Sequence, residues 1–295
     1  MSFSGNIKSE LFRVTASSRH CMLAEMAAIY EFCGKRSQVD DGKIVISSEN
    51  ELAVRKFFTL LRKTFNMYKD YPPDETVVQK KGANLRLEID DPDEAKKVRS
   101  AVKVTTDTLR SCCRRAYIRG AFLAAGSVSD PEKSYHLEIV CQEMRQALFL
   151  EQLLESFEIE AKTILRKKNY VLYVKDGTRI VETLNVMGAH VALMDFENMR
   201  ILKEMRNSVN RKVNCETANI GKTVNAAQRQ IEDIKRLMAG DDYKQLPPAL
   251  KEMAELRVSH PEATLKELGE LCTPPLGKSG VNHRLRKLSQ IASEQ

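Results

Sequence analysis

The 295-residue sequence lacks a hydrophobic run long enough to cross a membrane. Its longest uncharged stretch, residues 183–194, is far shorter than the about 20 apolar residues that a bilayer requires. The first residues, MSFSGNIKSELF, include Lys8 and Glu10 and therefore lack the apolar core of a secretory signal. We expect a cytoplasmic protein that is not attached to a membrane.

The sequence also lacks the residue spacings that are typical of a metal site or a nucleotide site. Its seven cysteines include no C-x-x-C pair and its five histidines are scattered, whereas zinc sites and disulfide frameworks usually show paired spacings. The GKT at 221–223 has Glu216 where a phosphate-binding loop needs glycine. We expect small buried thiols in a reducing compartment, no bound metal and no cofactor.

What the sequence does have is enough apolar material for cores and a mild positive charge. Hydrophobic residues make up 42% and charged residues 29% of the chain, which excludes disorder throughout. The length predicts at least two domains. The formal net charge of +7 makes a polyanion a plausible ligand only if the cations are clustered.

Two consecutive parts of the chain show the same order of elements. Helical spacing from Met22 to Tyr30 predicts a helix that ends at Gly34, and a second such helix ends at Gly126, 92 residues later. Each half reads helix, strand pair, helix, strand pair, helix, with strands expected at 43–47, 76–82, 84–90, 135–141 and around 167–169. This order predicts a duplicated α+β domain over residues 1–188, with halves of about 1–105 and 106–188.

The β pattern stops after Gly188, and the remainder is predicted to be helical. Residues 189–240 favour a helical connector, in which the Asn-rich stretch 206–223 predicts a break between two helices. Residues 241–295 form a third segment.

Three short helices are predicted in that last segment. Pro248 begins the first, which ends before Pro261. Thr264 and Glu267 are spaced as a capping box for the second, which the turn at 273–275 stops. The third begins after Gly277 and buries one apolar face. This arrangement predicts an all-α helix-turn-helix domain.

The opposite face of the last helix is polar and cationic, with no acid from 277 to 291. In a helix-turn-helix such a helix enters the major groove, where Asn, Arg and Ser contact base edges and cations hold phosphates. The predicted base-reading residues are Ser279, Asn282, His283 and Arg286, and the predicted phosphate contacts are Thr264, Lys266, Lys278, Arg284 and Lys287. For His283 a phosphate contact is an equal alternative. The alternative is a solvated basic helix without a ligand.

Residues 117–131, YIRGAFLAAGSVSDP, resemble the second helix motif of LAGLIDADG homing endonucleases. In that family the penultimate motif residue of each half is an acid that holds a divalent metal for phosphodiester cleavage. Ala125 stands at that position here, and Cys33 stands there in a more degenerate first motif. The resemblance therefore implies the fold without hydrolysis, and the competing hypothesis is a nuclease that uses Asp130 and Glu132.

Over essentially its whole length the sequence is similar to the bacterial WhiA family. The most specific stretches are RGAFLAAGSVSDP, NRKVNCETANIGKTVNAAQRQ and TLKELGELCTPPLGKSGVNHRLRKLSQIA, the last of which also resembles the promoter-binding region of sigma factors. Membership implies a nucleoid-associated protein that binds double-stranded DNA and is connected with cell division and chromosome segregation, and with transcription of sporulation genes in mycelial relatives. RNA polymerase or another regulator is a further expected partner, and a cell-division scaffold that does not bind DNA is the alternative.

Homing endonucleases lay DNA along a saddle of β-strands, so the resemblance also suggests a second DNA contact. Its candidate residues are Lys80, Lys81, Arg166, Lys167 and Lys168, all on predicted strands or turns. Ordinary solvation of the hairpins and a protein-docking surface are the alternatives.

Overall fold

The computed structural model describes residues 2–34, 42–68 and 78–294. The chain divides into two compact units, Met1–Glu204 and Met205–Gln295. No helix in the described part of the chain is long and apolar enough to cross a membrane. The domain limits at 188 and 240 stay predictions.

The first unit contains two sheets, seven complete α-helices and one short 3₁₀ helix (Thr106–Thr108) among its described residues, and an eighth α-helix crosses its boundary. In chain order the elements are α1 (Phe3–Arg13), α2 (Arg19–Cys33), β1 (Ile44–Ser48), α3 (Glu51–Phe65), β2 (Val78–Lys81), β3 (Asn84–Ile89), α4 (Pro92–Ala101), α5 (Ser111–Ala125), β4 (Gly126–Val128), β5 (Leu137–Cys141), α6 (Met144–Glu155), β6 (Lys162–Arg166), β7 (Asn169–Val174), α7 (Gly177–Met187) and α8 (His190–Ala239).

The two sheets confirm the predicted α+β duplication. Their strand orders are β1-β3-β2 and β4-β5-β7-β6, and all neighbours are antiparallel. Gly34 bridges Ile46 in the first half as Gly126 pairs with Ile139 in the second. Within the described residues the first strand pair of the first half is thus reduced to β1 and this single bridge. The expected strand residues 76 and 77 lie outside the described part.

Helices α2 and α5 pack against each other with their backbones close together, because small residues lie at their contact. A Cβ atom added to Gly120 would lie 2.5 Å from the carbonyl oxygen of Glu25 and 3.0 Å from the Cβ of Ala28. Any larger residue at position 120 would push the two helices apart. The motif helices therefore meet at the centre of the unit, as the resemblance implies.

A buried ionic cluster crosses this helix pair. Arg119 on α5 binds both carboxylate oxygens of Glu25 on α2, at 3.1 and 2.9 Å. The ammonium of Lys56 on α3 lies 3.5 Å from the same carboxylate and donates to the carbonyl of Phe12 at 2.9 Å. Burial lowers the pKa of Lys56, although Glu25 acts in the opposite direction. The three charges tie α2, α3 and α5 together.

Two expectations about the first unit and α8 are wrong, and one helix was not predicted. The Asn-rich stretch is not a break, because α8 runs unbroken for 50 residues. Most of its side chains from 202 to 220 are exposed, so the asparagines are solvated on a helix surface. Helix α1 has no counterpart among the predicted elements. Cys112 and Cys215 are exposed, whereas the other five cysteines are buried as expected.

The second unit contains α9 (Pro248–Ser259), α10 (Leu265–Leu271) and α11 (Lys278–Ser293), which confirm the three predicted helices. Its core joins apolar residues of these helices to the end of α8 and to a short 3₁₀ segment, Asp241–Gln245. Ile234 and Leu237 of α8 are 1% and 0% exposed in this core. A fragment that begins at residue 240 would therefore lose part of its own core.

Candidate nucleic-acid interface

A capping box fixes the start of α10, and a close backbone approach fixes the turn between α10 and α11. Thr264 accepts a hydrogen bond from the backbone amide of Glu267, and Glu267 accepts one from the amide of Thr264 at 2.7 Å, which confirms the capping box. This interaction lowers the pKa of Glu267. A Cβ atom added to Gly269 would lie 2.1 Å from the carbonyl oxygen of Leu276. Glycine lets the chain return closely over α10, so that α11 begins directly after it.

Helix α11 is anchored to α9 by one apolar face and one ion pair. Val281, Leu285 and Leu288 are fully buried. On the flank, Arg284 lies 3.3 Å from the carboxylate of Glu252 on α9. The other oxygen of Glu252 accepts from the backbone amide of Thr273 at 2.8 Å. Glu252 therefore fixes both the turn and the helix that follows it.

The remaining face of α11 carries the predicted base-reading residues. Ser279, His283 and Arg286 are exposed, and Asn282 is half-buried. Because they are three or four residues apart on a helix, they lie on one face, opposite the buried leucines. Lys278 and Lys287 are exposed beside them. The arrangement offers hydroxyl, amide, imidazole and guanidinium groups to one ligand surface, with two ammonium groups at its margins.

The other predicted phosphate contacts have partners within the domain. The hydroxyl of Thr264 acts as the cap of α10. The ammonium of Lys266 is exposed and lies 3.8 Å from Glu270. Arg284 is engaged by Glu252 and by the carbonyl of Ala249 at 3.3 Å. Thr264 and Arg284 are thus engaged within the domain, whereas the exposed pair of Lys266 restrains it little. The contact of all three residues with DNA stays a prediction.

The predicted saddle residues of the first unit do not share one face. Arg166 pairs in register with Asn169 and lies on the outer face of the second sheet, opposite the face that carries Leu172 and Val174, 3.8 Å from Glu138. Lys80 pairs in register with the buried Leu85. Its ammonium is therefore on the helix-covered side, where it lies 4.0 Å from Glu51 of α3.

Of the other three saddle candidates, Lys167 and Lys168 lie in the turn between β6 and β7, and Lys81 is the last residue of β2, paired with Asn84. Lys167 adopts a positive φ of 57° between β6 and β7, and Lys168 follows it, exposed. The side chain of Lys81 lies outside the described part.

Sequence reasoning missed three side chains on the outer face of the second sheet. Lys162 pairs in register with Tyr173, and Tyr173 stacks on His136 with ring centroids 5.8 Å apart. The ammonium of Lys175 lies over the Tyr173 ring at 5.0 Å. Counting alternate residues along the strands from the buried positions would have placed Lys162 and Tyr173 on this face.

The ends of the two motif helices do not offer the ligands that a nuclease metal requires. Cys33 is buried, which raises its pKa to about 11, and Ala125 has no donor atom. The nearby Lys8 adds positive charge, and burial lowers its pKa. Magnesium prefers carboxylate and water oxygens, so a neutral thiol, a methyl group and an ammonium do not fit it.

The two carboxylates of the competing nuclease hypothesis lie in the loop after β4. Asp130 and Glu132 are exposed there, and Asp130 accepts from the backbone amide of Glu132 at 3.0 Å. This contact closes a local turn.

Comparisons with known proteins agree with both units. The WhiA LAGLIDADG-like domain family matches residues 114–206, and the WhiA C-terminal HTH domain family matches residues 209–292. A "Probable cell division protein WhiA" from Lachnoclostridium phytofermentans is 48% identical, and the match covers 99% of this chain and 98% of that protein. A protein of the same name from Alkaliphilus metalliredigens is 45% identical over 100% of this chain and 98% of that protein.

Solved structures show the same likeness. The crystal structure of full-length DUF199/WhiA from Thermatoga maritima superposes with a TM-score of 0.63 at 27% identity, covering 100% of this chain and 99% of that chain. The N-terminal LAGLIDADG domain of DUF199/WhiA superposes with a TM-score of 0.51 at 25% identity, covering 63% of this chain and 92% of that chain. A LAGLIDADG-like domain followed by a helix-turn-helix domain, together with full-length relatives above 40% identity, shows that this chain belongs to the WhiA family.

Proposed function

We propose that this protein binds double-stranded DNA in a sequence-specific manner through α11. The observation that carries the proposal is the polar face formed by the exposed Ser279, His283 and Arg286 and the half-buried Asn282, on a helix whose opposite face is fixed in the core. A capped α10 and a glycine-dependent turn precede it, which is the arrangement in which a recognition helix enters the major groove. The match to the WhiA C-terminal HTH domain family supports the same assignment.

Within this face the side chains divide by their chemistry. The amide of Asn282 and the guanidinium of Arg286 are suited to bidentate contacts with adenine and guanine edges. Lys278 and Lys287, at the margins, carry compact charges suited to phosphates. Loss of a good base contact costs about 1 to 3 kcal/mol of discrimination, whereas loss of a phosphate contact weakens binding to every sequence.

The experiment is fluorescence anisotropy of the full-length protein with a selected cognate duplex and a random duplex, over a range of salt concentrations. The Asn282→Ala/Arg286→Ala variant is expected to lose most of the difference between the two duplexes. Lys222→Ala, an exposed cation on α8, is the control for the change of one charge. Equal losses on cognate and random DNA would contradict base reading by α11, and unchanged binding would leave the helix-turn-helix as a protein-docking module.

We further propose that the first unit binds a second stretch of DNA on the outer face of its second sheet. The support is that Lys162 and Arg166 lie on the same sheet face as Tyr173, with Lys162 opposite Tyr173 in register and the ammonium of Lys175 over the Tyr173 ring. Arg166→Glu in the full-length protein is expected to weaken binding to long duplexes at low salt. Lys80→Glu, on the helix-covered side, is the matched control, and equal effects of the two changes would contradict a contact specific to this face.

The LAGLIDADG-like domain acts in this proposal without nuclease activity, because the residues at Cys33 and Ala125 do not supply carboxylates. Supercoiled plasmid incubated with protein and magnesium is expected to stay intact. Magnesium-dependent nicking that Asp130→Ala abolishes would instead support the nuclease hypothesis.

The relatives named "Probable cell division protein WhiA" support a role of this DNA binding in cell division. We further propose that the protein acts at the nucleoid in the cytoplasm, in chromosome segregation and the control of transcription, including that of sporulation genes, with RNA polymerase or another regulator as a further partner. Charge reversal at Lys287 that leaves cell division intact would favour the scaffold alternative.

A further inference from the structure

Four side chains with metal-ligating atoms meet where α2 and α5 begin. They are His20 and Cys21 of α2 and Cys112 and Cys113 of α5, and their ligand atoms all lie within 4.8 Å of one another. Nδ1 of His20 is 3.2 Å from Sγ of Cys113 and 3.3 Å from Sγ of Cys21. Cys21 and Cys113 are buried, while His20 and Cys112 are exposed, so an ion would have a route from solvent.

The duplication explains why these residues meet. Positions 20 and 112, and likewise 21 and 113, are 92 residues apart, the same interval that separates Gly34 from Gly126. They are therefore equivalent positions of the two repeats, the second and third residues of each motif helix. Since α2 and α5 pack directly against each other, each repeat contributes one equivalent pair of side chains to a shared site.

The distances are close to those of a tetrahedral zinc site. Zn–S bonds of about 2.3 Å and Zn–N bonds of about 2.0 to 2.1 Å place sulfur and nitrogen ligands about 3.6 Å apart and two sulfurs about 3.8 Å apart. The sulfur–nitrogen distances of 3.2 and 3.3 Å are already near this value. Small rotations of the side chains would bring the remaining atoms, all within 4.8 Å, to the tetrahedral edges.

We propose that His20, Cys21, Cys112 and Cys113 bind one zinc ion, through Nδ1 of the histidine and three thiolates. Binding releases three protons, one from each thiol, and the zinc stays Zn²⁺ throughout. Four protein ligands leave no open coordination position, which is the property of a structural rather than a catalytic site. The ion links the starts of the two motif helices, at the ends opposite Cys33 and Ala125.

The test uses untagged, full-length protein purified under reducing conditions. Elemental analysis is expected to find one zinc per chain, and replacement by Co²⁺ is expected to give the intense visible absorption of tetrahedral thiolate coordination. In a chelator competition, Cys112→Ser should weaken zinc binding by more than the roughly 10- to 100-fold that loss of an outer-sphere partner costs. Cys215→Ser, which also replaces an exposed helical cysteine, should leave zinc binding unchanged.

Alkylation of the wild-type protein gives a second measurement that does not depend on how a variant folds. Zinc is expected to protect the exposed Cys112 from N-ethylmaleimide while leaving Cys215 reactive, as read by peptide mass spectrometry. If Cys112 reacts as fast as Cys215 both with and without added zinc, the proposal is overturned. A disulfide between Cys21 and Cys113 in protein isolated without reductant, together with no cobalt spectrum after reduction, would overturn it as well.

Discussion

The carboxylate of Glu25 neutralises two buried cations, so its loss should strongly destabilise the first unit. Glu25, Lys56 and Arg119 are 0%, 1% and 6% exposed. In Glu25→Gln the side chain keeps its shape and one carbonyl oxygen, but the negative charge disappears. Arg119 would retain the carbonyl of Met187 at 3.2 Å and Lys56 that of Phe12 at 2.9 Å. Neither of these two cations would keep a negatively charged partner within this cluster.

The expected cost follows from this geometry. Removing one partner of a buried ion pair costs about 3 to 5 kcal/mol, because an uncompensated charge stays buried. For a domain of about 200 residues each kcal/mol lowers the melting temperature by about 2 to 4 °C, so a loss of roughly 6 to 20 °C is expected. Added salt should restore little of it, since the cluster is shielded from solvent ions.

The assay must report on the first unit alone, because the chain has two compact units. Hydrogen exchange of amides in α2 and α5 provides this and should show the loss in opening free energy. Glu182→Gln breaks an exposed pair in which the Arg179 guanidinium lies 3.0 Å from the carboxylate, and as the matched control it should change stability very little. A loss below about 1 kcal/mol in Glu25→Gln, the range of surface pairs, would refute the reasoning.

Three further outcomes are expected. Gly269→Ala should cost the second unit about 1 to 3 kcal/mol in urea unfolding, because its methyl would lie 2.1 Å from the Leu276 oxygen; an unchanged midpoint would contradict this close approach. Burial raises the pKa of Cys141 from 9.0 to about 12, so above pH 9 the unfolded state holds fewer protons and stability falls. In Cys141→Val the free energy of unfolding should decrease less steeply above pH 9, by up to about 1.4 kcal/mol per pH unit. The same dependence of stability on pH in the variant and the wild type would contradict this. Lys287→Ala should reduce the slope of log affinity against log salt by about 0.9, and an unaltered slope would argue against a phosphate contact.

The helix-turn-helix is predictable because its signals are local. The capping box of Thr264 and Glu267, Pro248 in the first helical turn and the apolar spacing of α11 each act within a few residues of where they stand in the chain. The structure confirms all three helices. The sequence does not predict that Arg284 is held by Glu252, because the two residues are 32 positions apart and nothing in the spacing of α11 separates an anchoring arginine from a DNA-binding one.

The cations of the two sheets also show what the sequence does not predict, which is the sheet face on which each side chain lies. A hairpin around Gly82 is predictable, and β2 and β3 form it. The face of each cation depends on register, because a shift of one residue moves a side chain to the other side. Lys80 lies on the helix-covered side opposite Leu85, whereas Lys162 and Arg166 lie on the outer side. Composition alone treats these cations as equivalent.

The break predicted in α8 is wrong because a local preference of asparagine is outweighed by the rest of the helix. The cysteine cluster is missed because its two halves are far apart in the sequence. Asparagines at 207, 210, 214 and 219 predict a break because they favour turns. Each such residue costs well under 1 kcal/mol in a helix, and the neighbouring helical turns outweigh that cost.

The cysteines look unrelated in the sequence because adjacent pairs 92 residues apart match no metal-binding spacing. A duplication makes such a spacing meaningful, since any residue near the axis between two packed repeats meets its own equivalent. Pairing each chemically reactive residue with the residue one repeat later joins His20 to Cys112 and Cys21 to Cys113, and this pairing needs only the 92-residue interval between Gly34 and Gly126.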